Sequence, residues 1–265
     1  MHLPRCALVP ALLAAVLALP GCATVPGPPT TAPAAVAADD NLNAVVWMQT
    51  SAEYAAVAEQ TWRAAAEQLE AALADPAWDA LAPADRAGAP LAGLPPAVIV
   101  DVDETVLDNS PYQARLVRDG REFDDGSWDG WVAEAQAQPV PGALEFARAA
   151  AARGVTMIYL SNRTEAQQQA TLANLRALGF PVAEGDVFHG KGTTVAGCTQ
   201  AGSSDKSCRR RLVARQYRVL MQFGDQLGDF VAGPDNRPAT RRALLDAHRG
   251  WFGARWWMLP NPSYG

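Results

Sequence analysis

Val98-Ile99-Val100-Asp101-Val102-Asp103-Glu104-Thr105-Val106-Leu107-Asp108-Asn109-Ser110 is the stretch whose reading decides the fold. Its opening residues are β-branched and apolar without alternation. That is the pattern of a strand buried on both faces, as in a parallel sheet covered by helices. Ligands of such sheets collect beyond the carboxyl ends of the strands. Asp101 and Asp103 stand at that end, one residue apart. A lone Asp-x-Asp has a plain alternative, a solvated strand terminus or a helix cap, so its meaning depends on what else the chain delivers to the same edge.

Outward from this strand the chain alternates between helical and extended patterns. The spacing predicts one long helix starting at Asp39-Asp40-Asn41 and running to about Leu73, with Trp62 on its packed stripe. A Pro- and Ala-rich connector follows from Pro76 to Pro96. Residues 106–140 lack a clear period and read as a small cap over the strand ends, in which Trp128 lies on an exposed loop and Trp131 packs in the core. Beyond the cap the pattern predicts helix 142–153, strand 155–160, helix 165–178, a short strand near 186–188, helix 206–215, strand 218–223, helix 239–248 and a last strand at 256–259. Such alternation implies an α/β fold built on a doubly wound parallel sheet.

The 265 residues suffice for one such core with an accessory region. With 22 basic and 28 acidic residues, a net charge of −6 argues against a nucleic acid polymer as partner. Arg209-Arg210-Arg211 reads as a solvated helix face. Residues 1–22 have the form of an export signal: Arg5, an apolar run from Ala7 to Leu19 too short for a permanent membrane span, and Leu19-Pro20-Gly21-Cys22. That ending resembles a bacterial lipobox, in which Cys22 is lipidated; the alternative is plain secretion with Cys22 unmodified. Residues 23–38, dominated by Pro, Ala, Thr and Val, read as a tether. The domain proper then spans 39–265. Within it Cys198 and Cys208 are the cysteines that remain, and in an oxidising compartment they are expected to pair across the 198–208 segment; two reduced thiols are the alternative.

Three further matches fall where the sheet model needs them. Tyr159-Leu160-Ser161-Asn162-Arg163 ends a strand in a hydroxyl, placed before helix-start amides that could hold phosphate oxygens. Only Lys191 and Lys206 are lysines among the 22 basic residues. Lys206, which would open a helix, is preferred over Lys191 as the compact cation at this edge. Leu220 to Phe223 deliver Asp225 at a strand end, and the turn after it lets Asp229 face back. Hard oxygens from Asp101, Asp225 and Asp229 suit Mg²⁺.

In this order, Asp101-Val102-Asp103, Ser161, Lys206 and Gly224-Asp225 to Asp229 resemble the four motifs of the haloacid dehalogenase superfamily. The string Asp103 to Tyr112, Pro139-Val140-Pro141-Gly142-Ala143, Ser161-Asn162-Arg163 and Met258 to Gly265 resemble the class C acid phosphatases, bacterial surface lipoproteins that dephosphorylate nucleoside monophosphates. The 198–208 insertion and the ending one residue past Tyr264 depart from that pattern. The resemblance implies Asp101 as nucleophile, Asp103 as acid and base with its backbone carbonyl on the metal, and Ser161 and Lys206 on the transferring oxygens. It also implies Trp128 and Tyr264 stacked on a nucleobase, Asn162 near the substrate, and Asp101, Asp103, Asp225 and Asp229 around Mg²⁺. A lipid anchor at Cys22 in the outer membrane is the expected location, and the long N-terminal helix could serve a homodimer. The competing function is a surface lipoprotein that mainly binds a ligand or adheres.

Overall fold

The computed structural model describes residues 39–199, 202–233 and 235–264. The signal segment 1–22 with Cys22, and the tether 23–38, lie outside the described residues.

The single N-terminal helix of the sequence reading is two helices, α1 (Leu42–Thr50) and α2 (Ala52–Ala74). Ser51 separates them because its extended backbone lets the Oγ accept the Tyr54 amide at 3.0 Å, an N-cap inside the predicted helix. The connector also carries structure, the short helix α3 (Pro83–Arg86). It is knitted into the core by polar groups that the Ala/Pro composition hides. Trp78 Nε1 donates to the Leu220 carbonyl at 2.7 Å, and Gln222 and Trp256 donate to the Ala80 carbonyl at 2.7 and 2.8 Å.

β1 (Pro96–Val100) leads into the cap, which holds β2 (Leu107–Asp108), α4 (Ser110–Asp119), α5 (Asp125–Glu134) and β3 (Gln138–Pro139). β2 and β3 pair antiparallel and close the cap at its base. Trp128 is therefore on a helix and half-buried, where the sequence reading had an exposed loop; Asp124 caps that helix by accepting the Ser127 amide at 2.9 Å. The chain returns through α6 (Ala143–Ala152), β4 (Thr156–Thr164), α7 (Gln168–Leu178), β5 (Phe188–Lys191), α8 (Ser207–Ala214), β6 (Arg218–Gly224), α9 (Leu227–Phe230), α10 (Pro238–Ala247) and β7 (Trp256–Met258).

The five-stranded sheet runs β5-β4-β1-β6-β7 and every pair in it is parallel. From β1 the chain moves outward to β4 and β5, then crosses back to β6 and β7. The order reverses at β1, and right-handed crossovers put the helices of the two halves on opposite faces. In register, Val100 lies beside Tyr159 of β4 and Phe223 of β6. Asp101, Ser161 and Asp225 consequently lie within one or two residues of the same level.

Trp62 of α2 is buried and stacks on Phe223 with centroids 4.1 Å apart, and it also packs on Phe146 of α6. α6 begins at Gly142, whose φ of +86° and closeness to α2 both require glycine; a Cβ there would lie 3.1 Å from the Glu59 Cα and 3.2 Å from Trp62. Trp62→Ala should cost about 3–5 kcal/mol, since it empties the contact between α2, α6 and the sheet. Urea unfolding checks this: the midpoint falls with an unchanged slope, and a midpoint within error of wild type would count against this packing role.

Candidate active site

Asp101 follows β1 and its amide donates to the Phe223 carbonyl at 3.0 Å, which extends the ladder one step and fixes where the carboxylate starts. Lys206, at the N-terminus of α8, is 3% exposed and donates from Nζ to Asp101 Oδ1 at 2.5 Å and to Asp229 Oδ1 at 2.6 Å. Burial opposes the charge on Lys206, but Asp101 and Asp229 outweigh it and hold the ammonium above its ordinary pKa. Asp101 is pushed well above the usual carboxylate value by burial; Lys206 opposes that shift, and Asp229, Asp225 and Asp103 add to it. One buried cation faces several carboxylates.

Asp229 sits on α9 with Oδ2 accepting the Gln226 amide at 2.9 Å. Gly224 makes room for it, since a Cβ on that residue would fall on the Asp229 side chain. Asp225 is held from the C-terminal segment, where Asn261 Nδ2 donates to its Oδ2 at 2.8 Å. Among the described residues, Asp101, Asp225 and Asp229 each offer one oxygen, and these lie within 4.8 Å of one another. A hard oxygen set with uncompensated negative charge fits a divalent cation such as Mg²⁺.

Asp103 takes a different direction. Its Oδ1 accepts Arg163 Nε at 2.9 Å, Arg163 Nη2 at 2.8 Å and Asn109 Nδ2 at 2.9 Å, while Oδ2 stands 3.5 Å from the Ser161 hydroxyl. Its carboxylate is therefore outside the metal-fitting trio, with one oxygen held by three donors and the other only by the long Ser161 contact. Ser161 lies within β4, which runs on to Thr164 where the sequence reading ended it at Leu160; its hydroxyl accepts the Arg163 amide at 3.0 Å, so the expected helix-start amides are not beside it.

The arginine cluster is the clearest correction. Arg209 and Arg210 are buried, not solvated. Arg209 donates to the Ser161 carbonyl, to Asn162 Oδ1 at 2.7 Å and to the Asp205 carbonyl at 3.2 Å, tying the end of β4 to the segment that carries Lys206. Burial lowers its pKa to about 10, which still leaves it cationic at neutral pH. Arg210 pairs with Asp85 at 2.5 Å and donates to the Gly228 and Asp229 carbonyls at 2.9 and 3.1 Å. A signal for this was present: on a helix these two share a face with Val213 and Ala214, four residues on, and both of those are buried. The Cys198–Cys208 disulfide is formed, with Cα atoms 6.0 Å apart, beside this cluster.

Asp101, Asp103, Asn162, Asp205, Lys206, Asp225, Asp229 and Tyr264 line one cavity of about 490 Å³. Ser161 is buried behind it. The Tyr264 hydroxyl donates to Glu104, a buried carboxylate at φ +55° whose other oxygen accepts the Asn109 amide at 2.9 Å. Trp128 lines a neighbouring cavity instead, so the two aromatics expected to flank one base stand in different cavities. Lys191 lines that second cavity and leaves Lys206 as the lysine at Asp101. Sequence reasoning gave no role to Arg163, Arg209, Arg210, Asn109, Glu104 or Asn261.

Fold and site together are those of a haloacid dehalogenase-like α/β domain. The chain belongs to the HAD superfamily, subfamily IIIB (acid phosphatase), whose family model matches residues 28–265. It is similar to the class C acid phosphatase of Bacillus anthracis at 32% identity, with a TM-score of 0.71 over 85% of each chain, and to the same protein with tungstate bound. Among curated relatives it is 29% identical to a stem 28 kDa glycoprotein of Glycine max over 63% of this chain, and 29% identical to acid phosphatase 1 of Solanum lycopersicum. Those matches span 58% and 57% of the relatives' own lengths.

Two outcomes follow from this geometry. Gly224→Ala should raise the half-saturating Mg²⁺ concentration about tenfold or more by displacing Asp229; a titration followed by thermal stability checks it, and an unchanged midpoint speaks against the close approach. The second concerns pH. Burial, then Asp229, pushes the Asp225 carboxyl up to about 6. A carboxyl whose folded pKa lies above its unfolded value of about 4 contributes stability below that value and loses it as pH rises through about 6. In EDTA the melting temperature should therefore fall between pH 4.5 and 7, and Mg²⁺ should flatten the fall. Parallel curves with and without Mg²⁺ would contradict it.

Proposed function

We propose that the protein is a Mg²⁺-dependent acid phosphatase that hydrolyses phosphomonoesters, nucleoside 5′-monophosphates among them, through an aspartyl-phosphate. The observation that carries this reading is the Asp101–Lys206–Asp229 contact at the strand-order reversal, with a second carboxylate oxygen of Asp103 facing the same cavity. Tungstate, the ligand named for the Bacillus anthracis relative, is a tetrahedral oxyanion shaped like phosphate, which supports the same reading here.

Asp101 attacks phosphorus through Oδ2, the oxygen not engaged by Lys206, and the P–O bond to the leaving group breaks. Lys206 holds a transferring oxygen and neutralises charge that develops on it. Asp103 gives its proton to the leaving oxygen as that bond breaks, then takes one from the water that cleaves the acyl phosphate and regenerates Asp101. Arg163 and Asn109 keep Asp103 oriented for both steps. When bound by Asp101, Asp225, Asp229 and the Asp103 carbonyl, Mg²⁺ would screen the repulsion between an anionic nucleophile and an anionic phosphate. Tyr264 offers a face to a base, and Trp128 can serve the same leaving group only if it reaches past Asn162. The lipobox-like Leu19-Pro20-Gly21-Cys22 and the tether support export and a lipid anchor, and the outer membrane is the location this reading proposes.

The binding reading has one specific support: a curated relative at 27% identity is vegetative storage protein 2 of Arabidopsis thaliana, a name that denotes storage and no reaction. Phosphate release separates the two. Wild-type protein should release phosphate from AMP with Mg²⁺ and lose that release in EDTA, and Asp101→Asn should abolish it. Asp103→Asn should slow AMP turnover by about 10²–10⁴-fold and p-nitrophenyl phosphate turnover much less, because nitrophenolate leaves without a proton. An active Asp101→Asn protein sinks the mechanism; wild-type protein that binds AMP without turnover favours the binding role.

A further inference from the structure

The cavity beside the catalytic one is not explained by phosphate transfer alone. It measures about 660 Å³ and lies between α5, the end of β4, the start of α7 and the end of β5. On its α5 side are Trp128 and Phe123, the latter 58% exposed. Arg163 lies 5.4 Å from the centre of the Trp128 ring and Tyr112 meets that ring edge-on, so the indole is fixed in place. On the sheet side is Lys191, the last residue of β5 and level with Thr164 of β4, half-buried and with no ion pair or hydrogen bond to its ammonium among the described residues. Two carboxylates also line the cavity. Asp129 is engaged by Gln167 Nε2 at 2.6 Å and Asp125 is exposed at the first turn of α5; Glu165 lies against Gly192 next to Lys191 but is not in the lining, where Lys191 supplies the cationic group.

Asn162 lines both cavities. A guanidinium only donates, so the Arg209 contact turns the amide oxygen of Asn162 inward and presents its NH₂ at the junction. A leaving group running from Asp101 past Asn162 would meet a donor and then a cavity with aromatic faces on its α5 side and the Lys191 ammonium on its sheet side.

We propose that this cavity is a leaving-group subsite for an aromatic group that carries a second anion, with the ring against Trp128 and Phe123 and the anion on Lys191. The substrate class is thus nucleotides bearing a further phosphate, for which adenosine 3′,5′-bisphosphate is the probe. The inference rests on the phosphatase reading of the adjoining site.

The test is the kcat/KM of wild-type and Lys191→Met protein on adenosine 3′,5′-bisphosphate, AMP and p-nitrophenyl phosphate with Mg²⁺. Wild type should favour the bisphosphate over AMP. Lys191→Met should lose about tenfold on the bisphosphate through KM, the worth of one charge-assisted hydrogen bond, and change less than twofold on the two substrates that lack the second anion. Lys191→Arg should keep most of the preference. Equal losses on all three substrates, or no loss on the bisphosphate, overturn the subsite while leaving the phosphatase reading standing. If wild type turns over none of them, the phosphatase reading fails instead, and calorimetric binding of the bisphosphate decides the subsite: weaker binding by Lys191→Met supports it, equal binding overturns it.

Discussion

An ammonium group as buried as that of Lys206 stays charged only if carboxylates meet it, and Asp101 and Asp229 do so at 2.5 and 2.6 Å while it in turn offsets their crowding. This mutual dependence makes the site an all-or-none assembly. Arg210 contributes by gripping the carbonyls of Gly228 and Asp229 from beneath while its own charge is met by Asp85. Arg209 contributes from the other side by binding the end of β4 to the backbone of Asp205. The residual negative charge, shared by Asp101, Asp225 and Asp229, is what a divalent cation would remove.

The sheet order makes that assembly possible. Only at the reversal beside β1 do strands that leave in opposite directions along the sheet part their connections and open a crevice. β1, β4 and β6 are neighbours there, so residues far apart in the chain emerge side by side without long loops to place them. Gly224 shows how tight the consequence is, since the strand end and the Asp229 side chain compete for the space a single methyl would take.

Much of this was legible in the chain because strand ends and apolar periodicity are local signals. The run 98–103, the serine after Leu160, Lys206 and Asp225 could be placed in order, and the five parallel strands follow from alternation alone. Signals that depend on side-chain pairing across the fold were not legible. Ser51 breaks a helix by a bond to its own backbone neighbourhood that a stripe of apolar residues does not reveal. Three consecutive arginines resemble a solvated face until Asp85, over a hundred residues away, is known to lie against one of them. β4 likewise runs on through Asn162 and Arg163, across a register shift, to where Thr164 pairs with Lys191 of β5, a long-range pairing that composition does not reveal.

Asp101 and Asp103 leave the same strand two residues apart, yet their surroundings divide the chemistry between them. Asp101 faces an ammonium and other acids, a setting suited to a nucleophile that must approach an anion. Asp103 is clamped on one oxygen by three fixed donors while the other carries only the long Ser161 contact, a setting suited to moving a proton repeatedly without moving the carboxylate. The guanidinium that supplies most of that clamp, Arg163, also lies over the Trp128 ring. The Asp103 carboxylate and the aromatic wall beyond Asn162 are therefore both held against one buried side chain.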